Sequence, residues 1–320
     1  MTLNFERPLF ALAPLAGFTD LPFRGVAKSF GADLTVSEMI SSNALVEGNP
    51  KTAKMVERNL KETPYSVQIA GSDPEIIRRA VEIINGLDGV DVIDLNCGCP
   101  APKIVNNLQG SALLTDLVKM GRAIETIKRY SNKRYTSVKI RLGFDKKNHI
   151  EISKVCEESG ADFIAVHGRT RVGRYKAPVD YEAIAEIKEN VSIPVIANGD
   201  ITTPEKAKWV LDYTKADGVM VGRGAVGKPW IFKLMREHIL DGVESVTPSA
   251  ELIYSVVLEH LNQMVEHYGE YGVVLFRKHL HTYSKGLKGA SQFREVINST
   301  KDVEILRREI ESLFLADKKA

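Results

Sequence analysis

Eight times along this chain a short apolar run gives way to a segment with helical spacing, and no other feature narrows the possible folds as far. The runs are Leu9 to Ala13, Leu34 to Ser37, Tyr65 to Ile69, Val92 to Asn96, Ser137 to Ile140, Phe163 to His167, Val195 to Asn198 and Gly218 to Val221. Strands joined through helices pair in parallel, because each crossover helix returns the chain to the same end of the sheet. Eight such units close on themselves. Start signals for the helices stand where this scheme needs them, at Ser72-Asp73-Pro74, Thr115-Asp116 and Thr203-Pro204. The rhythm predicts a (β/α)8 TIM barrel.

A barrel takes about 250 residues, which leaves a tail. Gly242 to Ser249, with Pro248, reads as a linker. Beyond it, Ala250 to Tyr268, Val273 to Lys285 and Val303 to Leu315 space their apolar residues as helices do and show no strand pattern. The expectation is a barrel domain over residues 1–242 and a small all-helical C-terminal domain over residues 250–320. The three cysteines, Cys97, Cys99 and Cys156, are odd in number and form no C-x-x-C pair. That argues against a disulfide framework and a structural zinc site, so no metal is expected. The first residues lack a charged segment followed by an apolar one, and no uncharged run is long enough to span a bilayer. A cytoplasmic protein, neither exported nor held in a membrane, and monomeric, is expected.

The net charge of +2 names no partner, but its distribution is uneven. From Tyr271 to Arg294 there is no acidic residue, while Arg277, Lys278, Lys285, Lys288 and Arg294 alternate with Phe276, Tyr283 and Phe293. A second acid-free stretch, Phe163 to Val179, holds Arg169, Arg171, Arg174 and Lys176. Such stretches suit a polyanion, and they suit a solvated face equally well.

In a (β/α)8 barrel the reactive groups gather at the carboxyl ends of the strands. Those ends here carry Pro14 to Gly17, Glu38, Gln68, Asn96 with Cys99, Lys139 with Arg141, His167 with Arg169, Asn198-Gly199-Asp200 and Gly222-Arg223-Gly224. One polar residue at a strand end is explained by a hydrogen bond or by solvent; an array at nearly every end is not. The last two loops, glycine-rich and leading into helices, match the usual phosphate site of this fold. Gly222 to Gly227 also fits G-x-G-x-x-G, yet no strand ending in an acidic residue follows as a dinucleotide fold requires. Cys97 lies inside an apolar run and reads as packing. Cys99, between Gly98 and Pro100, lies beyond the run in a turn, where packing does not explain a thiol.

The motifs Ala13-Pro-Leu-Ala-Gly-Phe-Thr-Asp20, Asp94-Leu-Asn-Cys-Gly-Cys-Pro100, Val138-Lys-Ile-Arg141, Val166-His-Gly-Arg-Thr170, Ala197-Asn-Gly-Asp200, Val221-Gly-Arg223 and Arg277-Lys-His279 resemble, in order, those of the tRNA-dihydrouridine synthases, closest to the bacterial B-type branch. The resemblance covers almost the whole chain. One departure is Cys97, where the B-type pattern carries methionine, an exchange of one apolar residue for another. The resemblance implies a flavoprotein oxidoreductase that binds FMN and uses NADPH to reduce the C5=C6 bond of D-loop uridines in tRNA. It assigns FMN contacts to Pro14, Leu15, Ala16, Gln68, Lys139, His167, Asn198, Gly199, Asp200, Gly222 and Arg223, and makes Cys99 the catalytic acid. NADPH has no recognisable motif, which suits a donor that visits transiently and leaves before RNA binds.

The implied chemistry asks particular things of these residues. Hydride delivered to C6 of uracil leaves a carbanion at C5 that needs a proton, and a Cys99 thiol without a cationic partner would supply it. Lys139, helped by His167, would stabilise negative charge on the flavin and the uracil carbonyl. Asn96, Arg141 and Arg169 suit the edge of uracil or flanking phosphates. Arg277, Lys278, Lys285 and Lys288 would hold the RNA, with the neighbouring aromatics stacked on it or packed beneath it. Extruding a stacked uridine costs a few kcal/mol that this binding must offset. An FMN-dependent oxidoreductase acting on a free pyrimidine such as dihydroorotate would share barrel and flavin but have no use for a basic helical tail. A non-enzymatic RNA-binding protein would not need the polar strand ends.

Overall fold

The computed structural model describes residues 2–316. Eight parallel strands form the centre: β1 (Leu9–Leu12), β2 (Leu34–Val36), β3 (Tyr65–Ala70), β4 (Val92–Cys97), β5 (Tyr135–Arg141), β6 (Phe163–His167), β7 (Val195–Asn198) and β8 (Gly218–Val221). β1 pairs with β8 on one side and β2 on the other, and β2 pairs with β3, so the ring closes. The two-residue strand Ile40–Ser41 adds only a short extension beside Ile69 and Ala70. Each strand lies within two residues of the run that predicts it.

Seven helices of nine or more residues pack around the ring: α1 (Leu21–Ser29), α2 (Pro74–Asn85), α3 (Leu117–Tyr130), α4 (His149–Glu158), α5 (Glu182–Asn190), α6 (Pro204–Thr214) and α7 (Ile231–Leu240). The three predicted start signals are real caps, with side-chain oxygens of Asp73, Asp116 and Thr203 accepting from N–H groups of the first turn. Strand side chains alternate between two cores. Phe10, Leu12, Val67, Ile93, Leu95, Cys97, Val138 and Ile140 face the helices, whereas Leu9, Ala11, Val92, Phe163, Ala165 and Ile196 fill the barrel. Along β4 the filling series continues as Asp94 and Asn96, and along β5 as Ser137, Lys139 and Arg141. The interior thus changes from apolar to polar towards the carboxyl ends.

A pair buried outside the barrel joins α1 to the segment before β3. Arg24 Nε donates to Glu62 Oε1 at 2.8 Å with both side chains almost fully enclosed. Thr35 Oγ1 donates to the same carboxylate at 2.7 Å.

Residues 241–249 form neither helix nor strand, as the linker reading expects. The tail comprises α8 (Ala250–Tyr268), α9 (Tyr271–Tyr283), α10 (Ala290–Ser299) and α11 (Val303–Phe314). Helix α10 has no counterpart in the sequence reading; its Ala290, Phe293 and Ile297 make a narrow buried stripe inside an otherwise mostly polar segment. The tail's core contains Val257, Leu261, Phe276, Leu280, Tyr283, Phe293, Ile297 and Ile310, and it also takes in Val26 of α1 and Trp230 before α7. Phe276, Tyr283 and Phe293 are therefore packing residues beneath the basic stretch, with no face on which a base can stack.

Candidate active site at the carboxyl ends of the strands

A cavity of about 420 Å³ opens at the polar end of the barrel. Pro14, Leu15, Ala16, Gln68, Lys139, His167, Asn198, Gly199, Asp200, Gly222 and Arg223 all line it, together with Asn96, Cys99 and Arg141. Residues from seven strand ends, far apart in sequence, thus share one concave space.

The Cys99 turn is held from several sides. Asn96 Oδ1 accepts from the backbone N–H of Gly98 at 3.1 Å and of Cys99 at 2.9 Å. Ser111 Oγ donates to the Cys99 carbonyl at 2.8 Å. Gly110, at φ +60°, packs so closely that a Cβ there would lie 3.0 Å from the Cys99 carbonyl oxygen. Behind the turn runs a buried relay: Asn96 Nδ2 donates to Gln68 Oε1 at 2.7 Å, Gln68 Nε2 to Asp94 Oδ2 at 2.7 Å, and Ser137 Oγ to Asp94 Oδ1 at 2.5 Å. Burial pushes the Asp94 carboxyl up to about 6, against the pull of its Ser137 and Gln68 hydrogen bonds. Sequence reasoning does not single out Asp94 or Ser137, although Asp94 is two residues before Asn96 and therefore on the same face of β4.

Cys99 is half-buried, whereas Cys97 is enclosed and its thiol pushed well above the ordinary range by burial. Beside the Cys99 turn, Arg141 donates through Nε to the Gly98 carbonyl at 2.8 Å. Its Nη1 is engaged by the carbonyls of Thr170 and Arg174, both at 3.0 Å.

Lys139 Nζ donates to Asn198 Oδ1 at 2.9 Å, and Asn198 Nδ2 donates to the Met220 carbonyl at 2.7 Å. Burial, and then the charge of Arg141, bring the Lys139 ammonium down to about 8. His167 is held neutral: burial, then Lys139, Arg141 and further arginines, lower its pKa to about 2. Arg169 Nη1 stands 3.3 Å from His167 Nε2 and has only protons to offer. Nε2 must therefore accept, which leaves the ring proton on Nδ1. His167 thus contributes a hydrogen-bond donor, not a second cation.

Arg169 lies beneath the lining. It donates to the Ala177 carbonyl and grips Asp200, which also accepts from Arg223 at 2.7 Å. These two partners hold the Asp200 carboxyl below the usual range. Tyr175, missed in the sequence, projects over the cavity between the guanidinium groups of Arg141 at 5.5 Å and Arg223 at 4.9 Å.

The basic tail residues divide. Lys278 stands over the loop that follows the cavity-lining residues 14–16: its Nζ lies 5.7 Å from the ring of Phe18, and 3.8 Å from where a Cβ would stand at Gly17. Lys285 and Lys288 line a second, larger hollow of about 1390 Å³ between barrel and tail. That hollow shares Thr202, Arg223 and Gly224 with the first, so the two adjoin. Arg277 turns inward and donates to the Thr300 carbonyl at 2.8 Å.

Comparison with known proteins adds to this geometry. The family model described as dihydrouridine synthase matches residues 11–317. A protein of Helicobacter pylori named a probable tRNA-dihydrouridine synthase is 47% identical over 304 residues, covering 95% of this chain and 91% of its own. The tRNA-dihydrouridine synthase B of Pasteurella multocida is 40% identical over 298 residues, covering 91% and 88%. Among solved structures, the 6-hydroxypseudooxynicotine amine oxidase of Pseudomonas geniculata superposes with a TM-score of 0.56 at 12% identity, over 78% of this chain and 50% of that one. The last is a likeness of fold alone.

Proposed function

The chain belongs to the dihydrouridine synthase family, in its bacterial B-type branch, and from that premise we propose that it reduces the C5=C6 bond of D-loop uridines in tRNA, with FMN in the barrel cavity, NADPH as electron donor and Cys99 as proton donor. The observation that carries this reading is the fastening of Cys99 at the wall of a cavity that also presents Lys139 and a neutral His167. FMN fits the donor set: Lys139 and Arg223 offer positive charge to an anionic group, and the glycines at 199, 222 and 224 let backbone N–H groups come close to a phosphate. Asp200 would contribute through its backbone, since its carboxylate repels a phosphate and is already gripped by two arginines.

Held by these residues, FMN would supply the hydride chemistry, with electrons drawn from NADPH, that reduces C6 of the uracil. Cys99 Sγ–H gives its proton to C5, and the resulting thiolate recovers a proton from solvent. Arg141, anchored on the Gly98 carbonyl, steadies that thiolate while it lasts. Lys139 and the Nδ1–H of His167 meet the negative charge that gathers on the uracil carbonyl. Asn96 keeps the Cys99 turn in register through the relay to Gln68 and Asp94. Lys285 and Lys288 line the hollow beside the cavity and, with Lys278 standing over Phe18, hold the RNA, in the cytoplasm where tRNA is found; the free-pyrimidine alternative gives them no task. Arg277, bonded inward, serves the tail's own structure.

The test is single-turnover kinetics on Cys99→Ala and Cys97→Ala. Oxidation of NADPH by the flavin should be unchanged in both, and uridine reduction should slow by about 10²- to 10⁴-fold in Cys99→Ala alone. Equal slowing in the two variants, or full activity without Cys99, would overturn the assignment.

A further inference from the structure

Asp20 and His279 close two of the motifs on which the family resemblance rests, yet neither lines the reactive cavity. The fold brings them together with His260, across 240 residues of sequence, where α1 meets α8 and α9. All three are buried, with Asp20 4% exposed and both histidines 0%. Their ligand atoms lie within 4.8 Å of one another.

The hydrogen bonding at this junction is unfinished in one direction only. His260 Nδ1 is 3.2 Å from the Tyr283 hydroxyl, while among the described residues His260 Nε2 and both ring nitrogens of His279 have no hydrogen-bond partner. A buried imidazole nitrogen without a partner costs roughly 1–3 kcal/mol, and a single ion here would engage one nitrogen of each ring, His260 through Nε2. We propose that Asp20, His260 and His279 bind a divalent transition-metal ion, zinc by preference, that fastens the helical tail to the wall of the active cavity.

The donor chemistry fits. Two imidazoles and a carboxylate are the borderline set that first-row divalent ions take, with water in the fourth place. A ligating histidine gives its other ring N–H to an outer partner, and His260 Nδ1 has one in Tyr283; Asp20 has one in Tyr268, whose hydroxyl stands 3.4 Å from Oδ2. Phe18, Phe23 and Phe276 wall the cluster from water, their rings 4.7–5.5 Å from an imidazole. Bonds of about 2.0–2.2 Å to one ion require the ligand atoms to draw in by roughly 1 Å or less each. The charged groups facing the cluster are Arg24, already paired with Glu62, Lys278, half-buried over Phe18, and Glu38.

The position gives the ion a task. Asp20 ends the β1–α1 segment whose Pro14, Leu15 and Ala16 line the cavity, and the two histidines belong to the tail. One ion would fix both bodies at their seam.

The experiment uses the full-length chain without a histidine tag, unfolded in denaturant with chelator, then refolded with or without Zn²⁺. Elemental analysis after desalting should find about one zinc per chain, and Co²⁺ in its place should give the visible absorption of a low-symmetry nitrogen and oxygen site. Zinc should raise the melting temperature of wild type by a few degrees and leave His279→Gln and Asp20→Asn unmoved. Variants that retain as much zinc as wild type would overturn the proposal. Should a variant fail to refold, the wild-type cobalt spectrum decides alone, and its absence at saturating Co²⁺ removes the site.

Discussion

Lys139 is the residue through which pH should act on the cofactor. Its ammonium, brought down to about 8 by burial from an ordinary 10.5, loses its proton in the folded chain over a range where the unfolded chain keeps it. Two effects of opposite sign follow. Affinity for FMN should fall as pH rises through about 8, because the cation that favours the anionic ligand is lost. Stability of the flavin-free chain linked to this group should rise over the same window, because the unfolded state then binds more protons. Flavin titration beside chemical denaturation, from about pH 7 to about pH 10, separates the two. Lys139→Arg should abolish the alkaline loss of affinity, since a guanidinium stays charged. His167 should add no inflection, being neutral throughout that range. At this scale the sequence shows which residues stand at strand ends and hides what they are bonded to. Cys99 is readable because Gly98 and Pro100 mark its turn; the tautomer of His167 is not, because it depends on Arg169 turning back beneath it. The same holds for Asn96, whose amide is bonded at both ends to Gln68 and to the Cys99 turn.

Among elements, the short 3-10 helix Gly110–Thr115 has more influence on the site than its length suggests, because it carries both Gly110 and Ser111 against Cys99. Gly110→Ala adds a Cβ in left-handed backbone and within 3.0 Å of the Cys99 carbonyl, at a cost of about 1–3 kcal/mol in chemical denaturation. Uridine reduction should slow while NADPH oxidation by the flavin does not, since the displaced group is the thiol. Glu62→Ala should be more damaging to stability, by about 3–5 kcal/mol, because it leaves the Arg24 guanidinium charged and enclosed. It should leave the flavin spectrum of the surviving folded fraction unchanged. The strands and capped helices are readable because alternation and caps are local. Helix α10 is not, because a few apolar residues in a short polar segment show as a buried stripe only once α9 and α11 lie against it.

For the whole molecule, the proposed function makes RNA binding a property of barrel and tail together, because the two hollows adjoin at Thr202, Arg223 and Gly224. Neutralising Lys278, Lys285 and Lys288 should weaken tRNA binding and shallow its dependence on salt, by about 0.7–0.9 in slope for each phosphate that no longer meets a cation. Arg277→Ala should instead lower the melting temperature with little change in that slope, given its bond to the Thr300 carbonyl. Binding isotherms at several salt concentrations distinguish the two, and an unchanged slope in the triple lysine variant would leave those side chains as a solvated face. The sequence shows that a tail exists and where it starts, but not that its core reaches back across the chain to Val26 and Trp230. Anyone wishing to graft the tail of one relative onto the barrel of another would cut in residues 241–249, where the chain is irregular. The true seam runs elsewhere. A chimera divided at that point inherits a foreign surface on α1 and before α7, and it should fold as a hybrid only when Val26 and Trp230 are exchanged along with the tail they pack against.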